Sequence, residues 1–361
     1  MANHLPPSVQ AGRGTATNAR SSRFNLNLTE IDGDWRDEQT LVDGGPAPLR
    51  TQVTVEQPKS ILSHNTSPDI PFDRSINPYR GCEHGCVYCY ARPTHAYLDL
   101  SPGLDFESRL FAKPNAAKLL REALSKPSYR AAPIAFGTNT DPYQPIEAKW
   151  GITRACLELL YETNHPVTIT TKSDRVIRDI DILARMAEKG LAAVALSITS
   201  LTPSIHRTLE PRAPRPEKRL AAIRALSDAG IPTHVSVAPV IPAITDHEIE
   251  AILAASAQNG AQTASYIPIR LPHEVSPLFR EWLDAHYPDR ADKVIHLIQS
   301  MRGGRDNDPA FTSRMRGTGV WADLIRTRFQ IAAKKNGLNE RRITLRSDLF
   351  LPPQGDQLRL L

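Results

Sequence analysis

Three cysteines lie close together in one short stretch of the 361-residue chain, residues 81–90. They are Cys82, Cys86 and Cys89, with the spacing C-x-x-x-C-x-x-C. This spacing lets one loop point three thiolates at a single compact inorganic site. A cubane iron–sulfur cluster is normally held by four thiolates, so three of them leave one iron open to an outside ligand. Tyr88, just before the third cysteine, would place a flat apolar ring beside that open iron.

Other uses of these cysteines are open at the level of sequence. A zinc site is one, with His84 or a distant residue as the fourth ligand, although zinc sites usually pair two C-x-x-C elements and no second pair exists. A disulfide is disfavoured by the odd number of cysteines in the loop and by the lack of a signal-peptide pattern. Cys156 lies among leucines in a predicted helix, so we expect it in the core. The spacing therefore favours a [4Fe-4S] cluster on the other three cysteines.

The loop resembles the cluster loop of radical S-adenosylmethionine (radical SAM) enzymes, which have this spacing and this aromatic residue. The segments NPYRGC at 77–82, GTNTDPY at 137–143 and KS at 172–173 are similar to the branch of spore photoproduct lyase and DNA repair photolyase-like proteins. The likeness extends over roughly residues 50–315. It implies a [4Fe-4S] cluster and SAM as cofactors, with the open iron chelating SAM. It further implies reductive cleavage of SAM to a 5′-deoxyadenosyl radical, with the substrate undetermined.

One difference from spore photoproduct lyase concerns the substrate. Those enzymes use an additional cysteine near the end of the second strand to return a hydrogen atom. The present chain has Asn139 and Thr140 in that region and no cysteine. Thymine-dimer repair is therefore not implied.

The elements that must position the loop alternate regularly between strand and helix. Six apolar strands, each followed by a helix, are predicted at residues 75–80, 133–137, 167–171, 191–197, 233–238 and 263–268. Such a pattern requires a parallel sheet covered by helices. The fold class is thus α/β, and six units, like the resemblance, indicate a partial (β/α)6 TIM-type barrel with N- and C-terminal extensions. In such barrels the chemistry lies at the carboxyl ends of the strands.

Polar residues at three strand ends, together with Tyr88, are the expected SAM contacts. These are Thr138, Asn139, Thr140, Lys172, Ser197 and Thr199. The alternatives are a simple turn after the second strand and a solvated lysine after the third. Farther along, Glu210 and Arg212 lie in a proline-rich loop, where they would either hold charged groups at the mouth or be solvated. No residue is singled out as a catalytic acid or base.

Composition indicates an ordinary globular protein, with 40% hydrophobic and 23% charged residues, a net charge of +5 and a pI near 9.0. No run approaches the roughly 18–20 apolar residues of a membrane span. The cysteine usage favours a reducing cytoplasm. We expect a disordered tail over residues 1–30, an N-terminal extension over 31–73, the radical SAM core over 74–300 and a basic extension over 301–361.

The C-terminal part is the most basic region of the chain. Between Arg302 and Arg346 there are eleven Lys or Arg and four Asp or Glu. Basic residues interleaved with aromatics can bind nucleic acid, but the composition favours an amphipathic helix over 321–335 with its apolar face on the barrel. The partners considered are a flavodoxin- or ferredoxin-like electron donor and nucleic acid. The alternative functions are nucleic-acid repair or modification and non-catalytic cluster or metal binding.

Overall fold

The structure is a computed structural model and describes residues 12–24 and 49–353. Its strands form a main sheet of seven strands and a small sheet of three. They are β1 (Gln52–Val55), β2 (Leu62–His64), β3 (Arg74–Ile76), β4 (Tyr79–Arg80), β5 (Arg109–Ala112), β6 (Ile134–Phe136), β7 (Val167–Thr171), β8 (Ala192–Ser197), β9 (Thr233–Val240) and β10 (Thr263–Pro268).

Helices fill the connections between the strands. They are α1 (Leu104–Ser108), α2 (Ala116–Leu124), α3 (Glu147–Trp150), α4 (Ile152–Glu162), α5 (Ile180–Glu188), α6 (Pro203–Leu209), α7 (Pro216–Asp228), α8 (Ile249–Gln258), α9 (Val275–His286), α10 (Ala291–Ser300) and α11 (Gly319–Lys335). Short 3₁₀ helices cover Arg92–Leu98, Asp174–Asp179, Asp246–Glu248 and Pro288–Arg290.

Six strands of the main sheet are parallel, in the order β10, β9, β8, β7, β6, β3. Strands buried on both faces, such as β6, need helices on each side, and the chain has a helix in every connection between the six parallel strands and after β10. The six predicted β/α units are therefore confirmed, with β7 and β10 at their predicted bounds. Antiparallel β2 forms the far edge. Within residues 49–353 no pairing joins β2 to β10, so the barrel is open.

The first predicted strand, residues 75–80, is wrong as a single element. It is split into β3, which joins the main sheet, and β4, which pairs with β5 and so belongs to the small sheet. The break falls at Asn77 and Pro78. Proline has no N–H to continue a ladder, so the chain leaves the main sheet there and turns toward the cysteine loop.

The N-terminal segment over residues 12–24 differs from the expected disorder. Arg13 and Thr15 are buried, and the Arg13 guanidinium donates to the Glu107 carbonyl at 2.9 Å. The backbone N–H groups of Gly14 and Thr15 donate to the Glu107 carboxylate at 3.0 and 3.2 Å. Arg13 therefore helps to pack this segment against the rest of the protein. The polar composition of the segment did not indicate this. Residues 1–11 and 25–30 of the predicted tail lie outside the described residues.

The C-terminal helix α11 confirms the prediction of an amphipathic helix packed on the barrel. Phe329 is buried in the main hydrophobic core, with its ring 4.7 Å from that of Tyr266 on β10. On the polar face, Arg328 forms an ion pair with Glu250 at 2.7 Å. Over the described ranges, none of the helices has the length and apolar character needed to cross a lipid bilayer.

Candidate active site

The cysteine loop is a tight turn in which the three thiols come within electrostatic reach of one another. Cys82 and Cys86 are each 7% exposed, and Cys89 is partly exposed. Backbone bonds close the turn: the Gly85 N–H donates to the Cys82 carbonyl at 3.4 Å, and the Cys89 N–H donates to the Cys86 carbonyl at 3.2 Å. All three cysteines are free. One short loop thus supplies three unpaired thiols to one region.

A buried ion pair fixes the loop from behind. Arg92 and Glu107 are both fully buried and meet at 2.6 Å. Arg92 also donates from Nε to the Cys86 carbonyl at 2.9 Å. Gly85 has φ = +69°, and a Cβ there would lie 2.7 Å from a Glu107 carboxylate oxygen. The loop conformation therefore requires glycine at this position.

A second buried network holds Tyr88, the aromatic residue beside the third cysteine. Its hydroxyl bonds to the Glu210 carboxylate and lies 3.1 Å from the Thr199 hydroxyl. The other Glu210 oxygen accepts from Arg219, which also donates to the Ser197 carbonyl at 2.9 Å. Burial opposes the charge on Glu210, but Arg219 holds the pKa of that carboxyl below its usual range. The Tyr88 ring is thus fixed by an ionised carboxylate.

Lys172 extends over the Tyr88 ring, with its ammonium 5.7 Å from the ring centroid. Burial opposes its charge, but the Cys86 thiol and the Glu210 carboxylate raise the pKa of Lys172 above its ordinary value. Burial in turn raises the pKa of Cys86 to about 12, and Lys172 opposes that rise. The Cys86 thiol therefore carries its proton at neutral pH, and metal binding would displace that proton. The Lys172 ammonium lies within electrostatic reach of this thiol.

Asp141 connects the second and third strand ends to the cysteine loop. One of its oxygens accepts from the Lys172 N–H at 2.8 Å and lies 3.4 Å from Nδ1 of His84. The other accepts from the Thr171 hydroxyl at 2.6 Å. Burial would raise the pKa of Asp141, but the His84 ring and these hydrogen bonds lower it to about 2. Asp141 is more than a turn residue, because it joins three segments.

The predicted contacts after the second strand lie at its carboxyl end, as expected for a β/α unit. The Asn77 side chain organises them: its Oδ1 accepts from the Asn139 N–H at 2.9 Å, and its Nδ2 donates to the Thr138 hydroxyl at 3.1 Å. Thr138 and Asn139 remain partly exposed. Thr140 is buried, with its hydroxyl donating to the Tyr79 carbonyl at 3.1 Å. Thr140 therefore holds the loop in place.

Tyr88 and Thr199 both bond to Glu210, and the Lys172 ammonium lies over the Tyr88 ring. Ser197 is buried at the end of β8. Thr199 donates to Glu210 at 2.8 Å, so its hydroxyl is already used within the protein. The prediction that Cys156 is a core residue is confirmed, because it is fully buried in α4.

Sequence reasoning missed Arg219 and left Glu210 open between holding charged groups at the mouth and being solvated. A signal was present, because Arg219 lies on the buried face of α7 with Ala222, Ile223 and Leu226. An arginine at an apolar position of a helical stripe indicates a buried partner.

The family-model comparison decides what kind of protein this is. Residues 76–255 match the model of the Radical SAM superfamily, a span that begins just before the cysteine loop and ends within α8. The chain belongs to the radical SAM superfamily. It is therefore a radical SAM enzyme, and the cofactors of the superfamily are a [4Fe-4S] cluster and SAM.

Similar sequences occur in other organisms. An uncharacterised protein of Mycobacterium tuberculosis is 37% identical over 64% of this radical SAM chain and 68% of its own length. An uncharacterised protein of Methanocaldococcus jannaschii is 28% identical over 59% of this chain and 76% of its own. A protein of Pseudomonas phage M6, described as a radical SAM Nalpha-GlyT isomerase, is 28% identical over 47% of this chain and 34% of its own.

Solved structures confirm the fold. A variant of spore photoproduct lyase superposes with a TM-score of 0.54 at 15% identity, over 79% of this chain and 80% of that one. A second variant gives a TM-score of 0.50 at 18% identity, over 65% and 66% of the two chains. At this identity the likeness concerns the fold and leaves the substrate undetermined.

Proposed function

We propose that Cys82, Cys86 and Cys89 hold the [4Fe-4S] cluster of this radical SAM enzyme and leave one iron open for SAM. The observation that carries the proposal is the closed turn that brings three free thiols within electrostatic reach of one another. When bound, the cluster and SAM supply a 5′-deoxyadenosyl radical by one-electron cleavage of a sulfonium C–S bond. The radical then acts on a substrate that the chain does not identify.

The donor set fits a cluster better than a single metal ion. In the described segments, no group of three or more His, Cys, Asp or Glu side chains could hold one metal ion. A cubane is larger than one ion, so its thiolate ligands stand farther apart. The zinc alternative requires three cysteines and a fourth ligand around a point, and His84 is instead directed at Asp141. Lys172 would offset the negative charge that three thiolates bring.

The proposed SAM contacts fall into two groups. Thr138 and Asn139 at the end of β6 and Lys172 after β7 offer polar groups to the amino and carboxylate ends of SAM. Ser197 at the end of β8 completes the predicted set. Thr140 and Thr199, which were predicted as contacts, are proposed as positioning residues because protein groups already accept their hydroxyl hydrogens.

Apolar side chains around the loop exclude water from the reacting centre. Tyr88 and Cys86 share a buried cluster with Ile241 and Ile244, which follow β9, and with Ile269, which follows β10. A dry wall of this kind limits quenching of a reactive radical by solvent.

The test is anaerobic reconstitution with iron and sulfide, followed by dithionite, SAM and mass detection of 5′-deoxyadenosine. We expect wild-type protein to form it and Cys82→Ala to lose both the cluster and the product. Cys156→Ala is the matched control, because it removes a thiol that is fully buried in α4. Product formation by Cys82→Ala, or equal loss in Cys156→Ala, would contradict the assignment. A wild-type protein that holds the cluster but never cleaves SAM would favour non-catalytic cluster binding.

The cysteine inventory also bears on the substrate. The chain has four cysteines, three of which lie in the cluster loop. The fourth, Cys156, is fully buried in the core on α4. No cysteine remains at the end of β6 to return a hydrogen atom, so we do not propose repair of the spore photoproduct. Deuterium transfer from candidate substrates into 5′-deoxyadenosine would identify the true one.

Nucleic acid is the second candidate substrate class. A spore photoproduct lyase variant with a bound dinucleoside spore photoproduct has a similar fold, with a TM-score of 0.50. The positive charge of the C-terminal part makes nucleic-acid binding worth testing. Two residues of α11 are already used within the protein, because Phe329 is buried in the core and Arg328 pairs with Glu250. Neutralising Arg326, Lys334 and Lys335 should weaken salt-dependent DNA or RNA binding. Unchanged binding would remove this role for α11.

A further inference from the structure

A cavity lies beside the cysteine loop. Its volume is about 520 Å³. It is lined by His84 of the loop and by residues that follow β6, β7 and α6. Tyr88, Lys172 and Ser197 are not among its lining residues. We call it the outer cavity.

The outer cavity is strongly basic. Arg175, Arg212, Arg215 and Lys218 line it, against a single acid, Asp174. Arg212 is paired with Glu83 of the cysteine loop at 3.1 Å. The other three cations are exposed, and across the described ranges none of their side chains has an ion pair or a hydrogen bond. Exposed cations without internal partners are available to an acidic surface from outside.

The wall of this cavity belongs to the cysteine loop itself. His84 lies between Cys82 and Cys86 in the chain and is 2% exposed. Its carbonyl accepts from the Arg212 N–H at 3.2 Å, so the basic loop after α6 is bonded directly to the loop that carries the cysteines. A partner seated at the outer cavity would therefore be separated from the buried cysteines by little more than this one residue layer.

Radical SAM enzymes require an electron donor, and Cys82 and Cys86 are almost closed to solvent. An electron therefore has to cross a thin protein layer from a docked partner. The side occupied by Tyr88 and Lys172 is proposed for SAM, so a donor needs another approach. The outer cavity offers one that leaves the SAM side free.

We propose that the outer cavity is the docking site for an acidic electron-transfer protein of flavodoxin or ferredoxin type. The donor gives up one electron and the cluster takes up that electron, with no bond formed between the two proteins. Charge complementarity raises the association rate, since a surface of one sign attracts a partner of the other. The inference rests on the proposed function, because it needs the cluster to be in the cysteine loop.

The test compares two reductants on one variant, Arg175→Gln/Arg215→Gln/Lys218→Gln. The matched control is Arg326→Gln/Lys334→Gln/Lys335→Gln, which removes the same charge from α11. Bleaching of the cluster's visible absorbance is followed by stopped flow, with reduced flavodoxin below saturation or with dithionite. We expect the flavodoxin rate to fall about 10-fold or more in the outer-cavity variant and to lose most of its salt dependence. The dithionite rate should be unchanged, and the control should resemble wild type with both reductants.

Cluster reduction is measured without SAM, so a failure of SAM cleavage and a failure of docking are distinguishable. An unchanged flavodoxin rate in the outer-cavity variant would overturn the proposal. An equal fall of the flavodoxin rate in the control variant would also overturn the proposal, because the effect would then depend on net charge and not on the outer cavity. A variant that keeps its flavodoxin rate but loses affinity for a DNA duplex would show that the cavity contacts nucleic acid instead.

Discussion

The Glu210–Arg219 pair is the most sharply testable part of the site. Both side chains are almost fully buried, at 2% and 1% exposure. Arg219 also donates to the Pro214 carbonyl at 2.8 Å and to the Ser197 carbonyl at 2.9 Å. Replacing it by methionine, which fits an apolar helix face, leaves the Glu210 carboxylate buried without its cation.

The expected cost follows from that geometry. Removing one partner of a buried pair costs about 3–5 kcal/mol, mostly because the remaining charge is uncompensated. We therefore expect Arg219→Met to lower the free energy of unfolding by about 3–5 kcal/mol. Glu210→Gln should cost a similar amount. The double variant lacks both charges of the pair, so its loss should be smaller than the sum of the single losses by up to about 3 kcal/mol.

The assay is urea unfolding of cluster-free protein, followed by circular dichroism and tryptophan fluorescence. The control is Arg326→Met, which breaks an exposed pair with Asp323 and should cost no more than about 1 kcal/mol. Single losses of Arg219 and Glu210 at the level of this control would refute the reasoning. Additive losses in the double variant would also refute it, because they would show that the two charges are not coupled.

Three further outcomes are expected. Asp141→Asn should lower the free energy of unfolding by about 2 kcal/mol at neutral pH, because the pKa of this carboxyl falls from 3.8 to about 2 on folding. The stability that this pKa shift contributes is present above pH 3.8 and is lost toward pH 2. The difference in stability from wild type, measured by urea unfolding against pH, should therefore vanish over that interval. Gly85→Ala should reduce iron loading and stability more than Gly151→Ala does. Both glycines have positive φ, but only a Cβ at position 85 would clash with Glu107. Equal effects of the two substitutions in an iron assay would show that the contact with Glu107 does not matter. Removing residues 1–24 should lower the melting temperature and iron retention, because Glu107 loses three donors from that segment; an unchanged melting temperature would mean that the segment does not support the loop.

Much of the fold could be predicted from the sequence because its signals are local. The β-branched run of β7 and the glycines after α5, α7 and α8 fix element bounds within a few residues. The pairing of β4 with β5 could not be predicted, because it joins segments about thirty residues apart and depends on where Pro78 releases the chain. The packing of residues 12–24 could not be predicted for a similar reason, because its hydrogen-bond acceptor, Glu107, lies about ninety residues farther along the chain.

The site residues likewise divide into those that the sequence could identify and those that it could not. Cys82, Cys86 and Cys89 could be found from their spacing, because the three thiols lie on one loop. The roles of Asp141 and Arg219 could not, because each depends on a tertiary partner. Thr199 shows the limit most clearly: it lies at a strand end, as predicted, but its hydroxyl belongs to the network that holds Tyr88.

Electron paramagnetic resonance of the reduced, reconstituted protein with isotopically labelled SAM tests most directly whether Cys82, Cys86 and Cys89 hold a cluster with one iron open to SAM. We expect about four irons per chain and magnetic coupling between the cluster and the labelled amino nitrogen of SAM, since three thiolates leave one iron open. Anaerobically purified protein that contains no iron, or a cluster that shows no coupling to bound SAM, would contradict it.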